Sequence, residues 1–129
     1  MLTGNFIAAA RAWIGTPYER GAARKGAGVG CDGLVAAVFG ASDFGALLDR
    51  LEHVPHVRLA QPGDVVALKE VSLARTDSTP RHLMVLTETA PRWKAVHASE
   101  KGVCEVELNS GLLKAIHSIW RLKSDGLDT

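Results

Sequence analysis

Apolar residues change their spacing partway along this chain. Up to about residue 60 they recur every three or four positions, and beyond it they come in short alternating runs. Phe6, Ala9, Ala10, Trp13 and Ile14 line one face of a predicted first helix, with Thr3 placed to cap it and Gly15 to end it. Leu34, Val35, Val38 and Phe39 repeat the pattern in a second helix entered through Cys31. Phe44, Leu47, Leu48 and Leu51 predict a shorter third, capped by Ser42. At Pro62-Gly63 the period falls to two. Strands are then expected over 63–68, 81–87, 93–98, 103–108 and 116–122, separated by turns at Ala90-Pro91-Arg92, Ser99-Glu100-Lys101-Gly102 and Asn109-Ser110-Gly111. Val71 to Arg81 reads as an irregular excursion, and Ser124 to Thr129 as a polar, frayed tail. Helices first and short strands afterwards make an α+β fold, with N-terminal helices packed on an antiparallel sheet of about five short strands.

Composition narrows the class without naming a partner. A chain of 129 residues, 47% hydrophobic and 22% charged, is expected to form one soluble globular domain spanning residues 1–129. Fifteen basic against fourteen acidic side chains leave a net charge of +1, which gives no electrostatic ground for nucleic acid. No run of apolar residues approaches a membrane span, and no basic n-region of a secretory signal precedes Phe6, so no membrane association is expected. Cys31 and Cys104 stand in unlike contexts and are read as free thiols. No close cysteine pair of the zinc-site kind occurs, and neither a metal nor a cofactor is expected.

The chemistry converges on Cys31. Gly28-Val29-Gly30 leads into it and a helix leaves from it, so its sulfur sits where unpaired backbone N–H groups and the helix dipole favour a thiolate. The loop Glu19 to Gly30, rich in glycine and basic residues, has the composition of a site wall. A thiol nucleophile needs a base, and five histidines are present. His53 and His56 flank Pro55, which breaks regular spacing between them; His117 reads as an ordinary strand-face residue. His82 shares a strand face with Met84 and Leu86, and His97 with Trp93 and Ala95. Were these strands antiparallel neighbours, both imidazoles would face one groove where the Cys31 helix packs, with His97 orienting His82. The competing reading leaves Cys31 a small core residue and both histidines facing solvent. Alternation sets Cys104 with Val106 and Leu108 on a core face, as a structural residue. Trp13 and Trp93 are expected in the core, with Trp120 partly exposed.

Five segments in order resemble the NlpC-type family of papain-like cysteine peptidases, which cleave the peptide stems of bacterial peptidoglycan. They are Ala12-Trp13-Ile14-Gly15-Thr16-Pro17-Tyr18, Cys31-Asp32-Gly33-Leu34-Val35, Pro62-Gly63-Asp64-Val65-Val66, Arg81-His82-Leu83-Met84-Val85-Leu86 and Val96-His97-Ala98-Ser99. The resemblance covers nearly the whole chain. It implies a papain-like fold, Cys31 as nucleophile, His82 as general base, His97 as orienting residue, and Tyr18 and Asp32 in contact with substrate. The implied substrate is a peptidoglycan peptide. Two positions depart from the family pattern: Gly30 stands where an Asp usually precedes the nucleophile, and Asp32 where a Ser follows it. Relatives from phage vary at these positions. A hydrolase that stays in the cytoplasm or is delivered by a phage-like particle, with phage-tail proteins as partners, fits the lack of an export signal. The alternatives are a non-catalytic structural or wall-binding member of such an assembly, and an acyltransferase using the same triad.

Overall fold

In the computed structural model, which describes residues 2–69 and 80–123, helices pack on one face of a six-stranded antiparallel sheet. Helix α1 (Leu2–Arg11) leads through a turn to a two-stranded hairpin, β1 (Ala23–Arg24) and β2 (Gly28–Val29), and then to α2 (Cys31–Val38) and α3 (Phe44–Leu48). The sheet follows with β3 (Leu51–His53), β4 (Val65–Lys69), β5 (Pro80–Glu88), β6 (Lys94–Ser99), β7 (Gly102–Glu107) and β8 (Ile116–Leu122), the last preceded by α4 (Ser110–Lys114). Its spatial order is β3-β8-β4-β5-β6-β7. The α+β architecture is the one the sequence predicts.

The differences have local causes. The sixth strand is β3: Leu51, expected on the third helix, instead pairs with Leu122 of β8. That helix therefore ends at Leu48, and its cap is Asp43 rather than Ser42, with Asp43 Oδ1 accepting the Ala46 N–H at 2.8 Å. The first helix begins at Leu2, so Thr3 lies inside it, and it stops at Arg11; Gly15 falls in the turn beyond, at φ +95°. Asn109-Ser110-Gly111 starts the single-turn helix α4, because the Asn109 carboxamide accepts the Leu112 N–H at 2.9 Å. The excursion expected over Val71 to Arg81 falls mostly, and the tail from Ser124 wholly, outside the described residues.

Period-2 alternation in the sheet separates two apolar clusters. On the helix side Ala10, Trp13, Leu34, Val35, Val38 and Phe39 pack on Val65, Val85, Val96, Ala98 and Val103, with Leu83 against them. The other side gathers Val66, Leu68, Met84, Leu86, Ala95, Leu108 and Ile119, with Trp93 packed against them. Trp120 is half-buried. Each fully buried Leu or Val contributes on the order of 1.5–3 kcal/mol, and both faces of the central strands share it.

Two of the five motif segments hold the frame rather than the chemistry. Asp64 is buried at the entrance to β4, where its carboxylate takes two hydrogen bonds from the Arg121 guanidinium, both 2.9 Å, and one from the Gln61 N–H at 2.8 Å. That fork ties the Pro62-Gly63-Asp64 turn to β8. Within Gly15-Thr16-Pro17-Tyr18, the buried Thr16 hydroxyl accepts the Gly26 N–H at 2.9 Å. Gly15 N–H donates to the Val103 carbonyl and Val103 N–H to the Thr16 carbonyl. The segment thus clamps the hairpin tip to the β7 edge.

Candidate active site

Cys31 is the first residue of α2, and the β1–β2 hairpin closes over that helix end. Gly30 occupies the N-cap in an extended conformation with no side chain to cap the first turn. Its N–H donates to the Ala22 carbonyl at 3.0 Å. A Cβ on Gly30 would lie 3.2 Å from the Gly21 nitrogen and 3.4 Å from the Glu19 carbonyl oxygen, and one on Gly33 only 2.7 Å from the Ala22 oxygen. Glycine at both positions therefore lets the hairpin sit directly on α2, and at position 30 this closeness is the physical counterpart of the departure from the family pattern. Tyr18 is held alongside by a bridge to Val29, with Glu19 N–H donating to the Val29 carbonyl and Val29 N–H to that of Pro17. Its side chain is 40% exposed, next to the start of α2.

His82 and His97 lie on neighbouring antiparallel strands, β5 and β6, and their rings are in contact. His82 Nε2 is 2.5 Å from His97 Nδ1, with the ring planes 86° apart. The other nitrogen of His97, Nε2, lies 3.6 Å from Cys104 Sγ. Cys104 is half-buried and directly opposite His97 in the β6·β7 ladder. Alternation places Cys104 on the right face but does not reveal this contact. The signal was in the sequence nonetheless, since a hairpin turning at Ser99 to Gly102 sets His97 against Cys104.

Strand alternation groups His82 with Met84 and Leu86, and His97 with Ala95; those three apolar residues belong to the cluster on the side of the sheet away from α2. β5 and β6 pair at Val85↔Val96, Leu86↔Ala95 and Glu88↔Lys94, and no ladder pair lies nearer to His82. Leu86 N–H donates to the Asp64 carbonyl on the β4 side, so the Leu83 N–H, three residues away, is aimed at the β6 side, where the ladder has opened. The Leu83 N–H lies near enough to the Cys31 thiol to favour its ionised form. This sets the thiol near the residue next to His82 in the chain. Among the described residues the thiol makes no hydrogen bond to an imidazole, and Nδ1 is the His82 nitrogen that His97 does not occupy.

Electrostatics hold these groups neutral at rest. Burial, and then the Asp32 carboxylate, push the Cys31 thiol up from its ordinary value, against the opposing N–H groups of Leu83, Asp32 and Cys31 itself. Burial, and then His97, bring His82 down to about 4, and burial lowers His97. Asp32 is exposed and its Oδ1 accepts the Gly33 N–H at 3.0 Å. His53, His56 and His117 are exposed and stand apart from this cluster. Among the described residues no group of three or more His, Cys, Asp or Glu side chains is arranged to hold a metal ion, and no helix is long and apolar enough to cross a membrane.

No family model matches the sequence, and no curated protein does. Solved structures do match. A protein similar to lipoprotein of the NLP/P60 family, SAV0400 from Staphylococcus aureus subsp. aureus Mu50, superposes with a TM-score of 0.67 at 19% identity over 93% of this chain. The NlpC/p60 domain of the peptidoglycan hydrolase SagA gives 0.64 at 20% over 93%, and NlpC1 from Trichomonas vaginalis 0.62 at 16% over 92%. The chain spans 41% and 44% of the first and third of these, and 98% of the SagA domain. The shared property at such identities is the fold, which is the papain-like NlpC/P60 fold.

Proposed function

We propose that this chain is an NlpC-type cysteine hydrolase, working as one peptidase domain, that cleaves amide bonds in peptidoglycan stem peptides. The observation that carries the reading is the bond between His82 Nε2 and His97 Nδ1, with the Cys31 thiol near Leu83, the chain neighbour of His82. With Nε2 engaged by His97, His82 has Nδ1 to offer the thiol. The reading requires a side-chain rotation of Cys31 or His82 that brings sulfur and nitrogen together when substrate enters. His82, neutral at rest, then takes the thiol proton at Nδ1 as sulfur attacks the carbonyl. The backbone N–H groups at the start of α2 stabilise the oxyanion. The imidazolium, steadied by His97, returns its proton to the leaving amine, and water hydrolyses the thioester. Tyr18 and Asp32, at the same rim, would contact the peptide.

The similarity in fold to the SagA domain, described as part of a peptidoglycan hydrolase, supports the choice of substrate. Incubation with defined stem peptides, with products identified by mass, tests the reading. Two fragments summing to substrate plus water, absent with Cys31→Ala, are expected. A mass equal to substrate joined to an added amine would instead mark an acyltransferase. Intact peptide in every reaction would leave the fold serving a structural or wall-binding role.

A further inference from the structure

The peptidase reading uses one nitrogen of His97 and leaves the other unexplained. Deprotonation of Cys31 by His82 Nδ1 requires that His82 carry its resting proton on Nε2. That N–H must donate to His97, so His97 Nδ1 must be an unprotonated acceptor, and the His97 proton must reside on Nε2. Nε2 is the atom that faces the Cys104 sulfur at 3.6 Å. The contact is built by the fold, because His97 and Cys104 are direct partners in the β6·β7 ladder and their side chains leave the sheet on one face.

We propose that Cys104 is a positioning residue, its sulfur accepting the Nε2–H of His97 and thereby fixing the tautomer through which His97 accepts from His82. This rests on the peptidase reading for its catalytic consequence, but the tautomer itself is a property of the resting protein. Sulfur suits the task because it is a weak, polarizable acceptor at van der Waals range in a half-buried site. Reversal of the chain, with the Cys104 S–H donating to Nε2, would put the His97 proton on Nδ1. His82 would then be protonated on the nitrogen meant for the thiol and could not act as base. Among the described residues the hydrogen-bond partner of the Cys104 sulfur is His97, and Cys104 acts through it.

Nitrogen-15 NMR of the histidine side chains tests this directly. In the wild-type protein His97 should carry its proton on Nε2. In Cys104→Val, which keeps the bulk but removes the acceptor, signals of the Nδ1–H form should appear. The same variant should lose about tenfold in kcat on stem peptides, as a removed orienting contact does, with KM unchanged. Cys104→Ser, whose hydroxyl still accepts, should keep the wild-type tautomer and most of the rate, and Cys104→Ala serves in place of Cys104→Val should that variant fail to fold. A wild-type His97 protonated on Nδ1 would overturn the proposal, as would a Cys104→Val protein with unchanged tautomer and rate. Should the wild type cleave no peptide, the peptidase reading fails, while the NMR result still decides the role of Cys104.

Discussion

His82 and His97 meet edge to face, with Nε2 of one ring 2.5 Å from Nδ1 of the other. Two half-buried imidazoles this close cannot both hold two protons, so one shared proton orders the pair. His97→Ala should remove the acceptor and cost roughly a hundredfold in kcat on stem peptides. His97→Asn, whose carbonyl still accepts, should recover part of it. Equal rates for the two variants would mean that His97 acts by bulk alone.

The low position of His82, about 4 against an ordinary 6.5, has a consequence for stability. Between those values the unfolded chain binds a proton that the folded protein excludes. The stabilisation is therefore complete above about pH 6.5 and is lost as pH falls toward 4. It amounts to about 2 kcal/mol after allowance for partial exposure. Thermal melts at pH 7 and pH 4.5 should show a smaller drop in Tm for His82→Gln than for the wild type, and parallel drops would refute it.

Asp32 adjoins the Cys31 sulfur and adds to the rise that burial imposes on the thiol. Asp32→Asn should lower the pH at which iodoacetamide alkylates Cys31, mapped by peptide mass, while leaving the Cys104 profile where it was. No movement of the Cys31 profile would remove Asp32 from the electrostatics of the thiol.

Alanine normally stabilises a helix over glycine by about 1 kcal/mol, yet at position 33 the opposite is expected. The new Cβ would stand 2.7 Å from the Ala22 carbonyl oxygen, which itself accepts the Gly30 N–H. Gly33→Ala should lose about 1–3 kcal/mol in urea denaturation and loosen the hairpin that shields Cys31. A gain in stability would show that the hairpin moves freely on α2.

Arg121 holds the buried Asp64 carboxylate with two hydrogen bonds and reaches the Leu59 carbonyl with a third. Arg121→Met should cost about 3–5 kcal/mol, because it strands a buried charge. The double variant Arg121→Met with Asp64→Asn should recover part of that loss. A single variant as stable as the wild type would contradict the role given to this pair.

The sequence alone carried the class of fold, since apolar spacing changes from helical to alternating near Pro62 and that change follows from backbone geometry. It also carried the facing of His82 and His97, because alternation and a short turn set which residues share a strand face. Where nearby structure competes for a residue, local pattern misled. Leu51 reads as the last turn of a helix until pairing with Leu122 draws it into the sheet. The position of the thiol was beyond local pattern altogether. Cys31 comes near Leu83, the neighbour of His82, only because α2 packs on β5, a contact between segments distant in the chain. The Cys104 sulfur meets His97 because a ladder pairs them, although the chain presents it as one more apolar position on a strand.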